Sequence, residues 1–253
     1  MKKIYLCSRV YNVQMTDTIK DTIDRFTNGF VFTAADFSVP LDKQNTVTKV
    51  LNNMVATGQI KRLCKGRFYK PQMSKFGELP PDTFQTVKDL LEKNGKITGY
   101  LTGYSIFNKF GLTTQVPMML QIATRKEKKP VVRGNYRISF TIQQNTITKD
   151  NIPILQLLDC LRFFKSIPDA MPNEICQRLL FLFKQFTPEQ INTAKRLAIK
   201  YSPSTIALLG AILETNNENE DTAALYKALK HQSSYKLDIS SRILSNQKKW
   251  HIK

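Results

Sequence analysis

Apolar residues at Ile19, Ile23 and Phe26 fall at i, i+4 and i+7, and the pattern closes at Asn28-Gly29, so a one-sided helix is predicted over residues 17–28. In the next stretch, FVFTAADF, Thr33 with Asp36 three positions later has the form of a capping box that opens a short second helix, and Pro40 marks the turn after it. Asp42 is placed to cap a third helix. Its Val47, Val50, Leu51, Met54 and Val55 make the cleanest helical stripe in the chain, and Gly58 ends it. The period then drops to about two. Ile60, Leu63, a Lys65-Gly66 turn, Phe68 and Tyr69 predict a two-stranded ribbon ending at Pro71. Three helices followed by a ribbon is the order of a winged helix-turn-helix.

Pro80-Pro81 breaks the chain, Asp82 can cap the next helix, and TVKDLLEKNG is amphipathic up to Gly95. PMMLQIAT reads as a strand, and RKEKKPVVRGNYRISFTI as a basic hairpin connection leading into a second one, with Tyr136, Ile138, Phe140 and Ile142 on one face. The glycines of GYLTGY do not form a phosphate loop, which needs G-x-x-x-x-G-K-[ST], nor a G-x-G-x-x-G turn, so they are assigned to close packing. From Asp150 onward, IPILQLLDCLRFFKSI, MPNEICQRLLFLFKQF, TPEQINTAKRLAIKY and SPSTIALLGAILET each carry helical spacing, with Thr187-Pro188 and Ser202-Pro203 as sharp starts. NNENEDT is a polar break, and the tail to Lys253 is expected to dock through Trp250.

The predicted fold class is therefore α+β and predominantly helical: an N-terminal winged helix-turn-helix, then a larger mixed α/β and helical domain. The expected domains are residues 1–80 and 81–253, the second divided into a small α/β part (81–149), a helical bundle (150–215) and a tail (216–253).

Charge changes this picture from a fold to a partner. The 253 residues hold 38 Lys+Arg against 20 Asp+Glu, a net charge of +18, divided as +7 over residues 1–70, +6 over 71–150 and +5 over 151–253. An excess spread along a chain that is 42% apolar belongs to folded surfaces and favours a polyanionic partner, with double-stranded DNA first. No segment concentrates cations opposite bulky apolar residues as a membrane-surface helix does. The N-terminal MKKIYLCSRVYNV is too short and polar for a signal peptide or a span, so a cytoplasmic protein without a membrane partner is expected.

The ribbon carries Lys61, Arg62, Lys65, Arg67 and Lys70, whose mutual repulsion a phosphate backbone would relieve. Turning about 100° per residue from Val47 at the centre of the buried face, Asn45, Lys49, Asn52 and Ala56 point away from the core, flanked by Gln44 and Thr48. Amides suit adenine edges and Lys suits guanine. The DNA-binding candidates are thus Gln44, Asn45, Thr48, Lys49, Asn52, Lys61, Arg62, Lys65 and Arg67. Arg125, Lys126, Lys128, Lys129 and Arg133 form a possible second basic patch; such a run is otherwise a solvated turn.

Catalysis has little to work with. The two histidines, His231 and His251, lie in the polar tail and are expected to be solvated, and Glu218, Glu220 and Asp221 lie in a linker. Cys7, Cys64, Cys160 and Cys176 are isolated, without metal spacing, and read as reduced, mostly buried thiols. No catalytic residue, metal or cofactor is expected.

GQIKRLCKGRFYKP, FGELPP, GYLTGYSIFNKFGLTTQVP, YRISF, LAIKYSPSTIALLGAILE, YKLDIS and KKWHIK together resemble the AbiEi-like antitoxins of bacterial type IV toxin-antitoxin systems, in particular a branch described as a family of unknown function. The resemblance covers nearly the whole chain, and GLTTQVP is its most distinctive string. It implies a winged helix that represses the protein's own operon at inverted repeats in its promoter, through the helix from Lys43 to Thr57 and the wing from Ile60 to Tyr69. It further implies an antitoxin domain after Pro81 that counteracts a nucleotidyltransferase-like toxin without a stable complex. The alternatives are a winged-helix protein-interaction module and a solitary transcriptional regulator without antitoxin activity.

Overall fold

The computed structural model describes residues 15–116, 118–229 and 233–253, so Cys7, Pro117 and His231 lie outside the described residues. The protein is mixed α/β and divides into two compact units, Met1–Lys88 and Asp89–Lys253, each with a core of its own. The boundary falls inside helix α3 (Thr83–Leu91), which Asp82 opens by accepting Gln85 N at 2.7 Å.

In the first unit, helix α1 covers residues 15–25 and buries Ile19 and Ile23. Gly29, at φ 79°, turns the chain into strand β1 (Val31–Phe32), which the periodicity gave no reason to expect. The predicted second helix is a single 3-10 turn, Ala34–Asp36, held by the capping box: Thr33 Oγ1 accepts Ala35 N at 3.2 Å, and Asp36 Oδ2 accepts Thr33 N at 2.6 Å. Helix α2 (Gln44–Ala56) buries Val47, Leu51 and Met54, the centre of the expected stripe. Its cap differs from expectation. Leu41–Lys43 forms a 3-10 turn, so Asp42 sits one residue too early and Lys43 occupies the N-cap without a side-chain bond.

Strands β2 (Lys61–Cys64) and β3 (Arg67–Tyr69) form the ribbon, with a bulge between Arg62 and Cys64. β1 joins the outer side of β3, Val31 opposite Tyr69 and Phe32 opposite Phe68, giving the antiparallel order β1-β3-β2. Phe32, Phe37 and Phe68 then close on Ile19, Val47 and Leu51 as one core. A second hairpin, β4 (Gln72–Ser74) and β5 (Gly77–Leu79), follows where only a linker is legible in the sequence.

In the second unit, the chain leaves α3 at Leu91 instead of continuing to Gly95, because Asn94 and Gly95 take positive φ and turn a short hairpin, β6 (Glu92–Lys93) and β7 (Lys96–Ile97). A four-stranded sheet of order β10-β11-β9-β8 is built from β8 (Gly99–Thr102), β9 (Met119–Thr124), β10 (Val131–Arg133) and β11 (Tyr136–Ile142); β9 and β11 run parallel. Helix α4 (Tyr104–Lys109) follows β8 directly. The two glycines around β8 are packing residues: a Cβ on Gly99 would lie 2.9 Å from Ala123 O, and one on Gly103 would lie 2.0 Å from the Gln121 amide oxygen.

Four helices then build the larger core: α5 (Ile152–Arg162), α6 (Pro172–Lys184), α7 (Pro188–Ala198) and α8 (Pro203–Asn216). α7 opens on the expected capping box, Thr187 with Gln190. The segment 217–222 is less solvated than expected, since Lys195 Nζ bonds Glu220 Oε1 at 2.7 Å and Asp221 O at 2.9 Å. After α9 (Ala223–Lys227) the tail returns to α8 and buries Trp250 completely. His251 is half-buried rather than solvated. No helix among the described residues is long and apolar enough to cross a membrane.

Candidate nucleic-acid interface

Burying Val47, Leu51 and Met54 turns the opposite face of α2 outward. Asn45, Thr48, Lys49, Asn52 and Ala56 are exposed, while Gln44, in the first turn, is half-buried. Thr48 Oγ1 donates back to Gln44 O at 3.1 Å, and Ala56 adds an exposed methyl group. The face therefore presents amide, ammonium and methyl groups, the chemistry that base edges in a major groove can pair with.

The ribbon carries its cations in four different ways. Lys65, in the turn, is exposed, and Arg67 is half-buried. Arg62 lies over the Phe68 ring, 5.5 Å from its centroid, and its Nη2 donates to Asn52 Oδ1 at 2.7 Å. This bond links ribbon to helix, so Asn52 and Arg62 form one unit that the separate sequence readings did not join. Lys61 meets Glu78 of the second hairpin at 3.2 Å. Lys70 turns inward: its Nζ donates to Asp24 O at 2.8 Å and Phe26 O at 3.2 Å, satisfying carbonyls left open where α1 ends. Of the five ribbon cations, Lys70 has a structural role.

The possible second patch is split by the fold. Arg125, Lys126, Lys128 and Lys129 are exposed on the connection from β9 to β10, with Lys128 5.6 Å from the centroid of Phe140 and Arg125 donating to Gln144 O. Arg133 does not belong with them. It lies buried on β10, where its guanidinium grips both oxygens of Asp89, so it is a framework residue and not a phosphate contact.

A buried polar cluster in the second unit was not foreseen. Asp159 on α5 is buried, its Oδ2 accepting the hydroxyls of Tyr100 and Thr102, each at 2.7 Å, and its Oδ1 that of Tyr201 at 2.9 Å. Gln143 Nε2 donates to both tyrosine oxygens at 2.8 Å, and its Oε1 accepts Asn145 N at 2.9 Å. Burial raises the Asp159 carboxyl above the usual carboxylate range, against the opposing pull of its three hydroxyl donors and Arg162. A cluster satisfied so fully ties α5 to the sheet and to the end of α7. In the sequence, the signal was Asp159 among the apolar residues of α5, whose other polar side chains are Gln156 and Arg162.

Burial also raises the Cys160 thiol well up and the Cys176 thiol to about 12, as expected of inert core thiols; Cys64 is half-buried. Among the described residues, no group of three His, Cys, Asp or Glu side chains is placed to hold a metal ion.

A family model described as Family of unknown function (DUF6088) matches residues 18–191. The chain belongs to this family. The DUF6088 match begins in α1, runs through both units and ends in α7, so the exposed face of α2, the ribbon and the four-stranded sheet all lie within it. No curated protein matches the chain. Among solved structures, the RV2827C protein from Mycobacterium tuberculosis shares the fold, with a TM-score of 0.56 at 13% identity over 87% of this chain and 83% of that one.

Proposed function

We propose that the first unit is a winged helix-turn-helix that binds duplex DNA, with α2 as the recognition helix and β2–β3 as the wing. The observation that carries this reading is the pairing of an exposed Asn45–Lys49–Asn52 face with a cationic ribbon bonded to it through Arg62. The sheet order β1-β3-β2, with β1 following α1 and the β2–β3 ribbon following α2, supports it, the 3-10 turn at Ala34–Asp36 standing where a second helix would lie. Asn45 and Lys49 read base edges, while Lys65 and Arg67 bind phosphates on either side.

The test is selection of duplexes by the full chain from a randomised pool, followed by salt titration of the winners. The expected outcome is specific retention that weakens steeply with salt. Lys49→Ala lowers specific affinity by about 1–3 kcal/mol. Arg67→Ala weakens all duplexes alike and flattens the salt slope by about 1. Retention indifferent to sequence, or none at low salt, sinks the reading.

The wider role, repression of its own operon and counteraction of a nucleotidyltransferase-like toxin, rests on the sequence resemblance. Its test is the neighbouring reading frame: a toxin of that kind, whose growth arrest this chain relieves without co-purifying, supports it. A neighbour of another kind leaves a solitary regulator. A protein-contact role is favoured by one feature of the second unit, the exposed apolar side chains of Val116, Met118 and Met171, with Gln115 donating to Asp169 between them.

A further inference from the structure

The β4–β5 hairpin of the first unit ends in an apolar group that base reading by α2 does not use: Phe76, at its tip, is 101% exposed. The turn beneath the ring is specified by side chains. Ser74 Oγ accepts Phe76 N at 3.2 Å and donates to Gly77 O at 2.8 Å, and Gly77 holds φ at 110°, which a side chain would strain. The stem is tied to the wing, because Glu78 accepts the Tyr69 hydroxyl at 3.0 Å through Oε1 and meets Lys61 at 3.2 Å through Oε2. With both oxygens of that carboxylate engaged, the charge at the tip is that of Lys75.

The register decides what kind of surface this is. Met73 opposes Glu78 and Gln72 opposes Leu79, so Met73 (72% exposed) and Leu79 (41%) stand on opposite sides of the ribbon with Phe76 between them at the end. The apolar groups surround a point and do not form a flat patch of the sort that docks on another protein. Self-association through the tip would set Lys75 against Lys75. A duplex offers what the tip lacks, phosphate for the lysine and stacked base faces for the ring.

We propose that Lys75 and Phe76 form a wedge that enters the minor groove, Phe76 separating two neighbouring base pairs while Lys75 contacts a flanking phosphate. The proposal rests on the DNA-binding reading of this unit and adds a kink in the duplex, which base-edge contacts alone do not require. Pyrimidine-purine steps open most readily, so the wedge adds a preference for such a step beside the sequence read by α2.

The test uses the full chain and a duplex it selects from a randomised pool, labelled at both ends for energy transfer. Wild-type protein bends the duplex by about 20–90°. Phe76→Ala binds on the order of tenfold more weakly, leaves the duplex straight and keeps the salt slope. Phe76→Leu retains a bend, since leucine also serves as a wedge. Lys75→Ala keeps the bend and flattens the slope by about 1. Because the ring touches no core, both Phe76 variants melt as wild type does. Binding without bending, or equal bending by Phe76→Ala, overturns the wedge and leaves DNA binding standing. Failure of wild type to hold any duplex overturns both. A Phe76→Ala variant that changes only from dimer to monomer in sedimentation overturns the wedge in favour of self-association.

Discussion

Asp159 shows how much a single residue can decide. Its carboxyl is raised by burial, so the folded protein holds a proton there that the unfolded chain releases above about pH 4. The proton-linked stability is fully present below that unfolded value and declines as pH rises toward the folded one. Asp159→Asn removes the linkage, so its urea stability measured against wild type improves steadily as pH is raised from about 4. A flat difference across that range contradicts a raised carboxyl. Asp159→Ala leaves the Tyr100, Thr102 and Tyr201 hydroxyls without their acceptor and costs about 3 kcal/mol in denaturant unfolding near pH 4, a cost that shrinks as pH rises because this variant lacks the linkage too. Asp159 itself stands out in the sequence but its cluster does not, because the five partners come from β8, the loop after β11 and the turn after α7. By contrast, the outward residues of α2 could be named from the chain alone, since one helix face fixes the other. What could not be named was the Arg62–Asn52 bond, which depends on where the ribbon folds back.

Elements followed the same rule. α2 and α5 to α8 were legible because each repeats its apolar spacing over several turns, and α7 announces its start with Thr187-Pro188 and Gln190. β1 and the hairpins β4–β5 and β6–β7 have two or three residues per strand, too few to show a period, and β1 is set by Tyr69 and Phe68 far along the chain. The tail was legible only through Trp250, and the structure explains its seat. Gly210 on α8 opens a slot for the indole, since a Cβ there would lie 2.0 Å from the ring, and Trp250 Nε1 donates to Glu214 Oε2 at 2.9 Å. Trp250 is the protein's single tryptophan, so its fluorescence reports this docking directly. Gly210→Leu displaces the ring, shifts its emission to the red and destabilises the unit by about 1–3 kcal/mol in denaturant unfolding. Unchanged emission means that the slot yields and that the fit is not what seats the tail.

At the scale of the whole molecule, a net charge of +18 spread through both units makes salt the main control on any polyanion it binds. The two parts of the charge differ in kind. Around α2, the cations stand beside amides and so can contribute to discrimination between sequences. The connection from β9 to β10 has lysines and an arginine without neighbouring readers, so it can add affinity without selectivity. Lys126 and Lys129 are both exposed there, and the bond seen at Lys126 is to its carbonyl, from Thr124 Oγ1 at 2.8 Å, which makes the two ammonium groups the test. If they contact phosphates, replacing both with Gln weakens specific and non-specific duplexes by the same factor and flattens the salt slope by about 2, one unit for each lysine. The ratio between the two affinities stays at its wild-type value, whereas Lys49→Ala lowers it. Titrations of both duplexes over a range of salt separate these outcomes, and an unchanged slope in the Lys126→Gln, Lys129→Gln protein returns that loop to the role of a solvated turn.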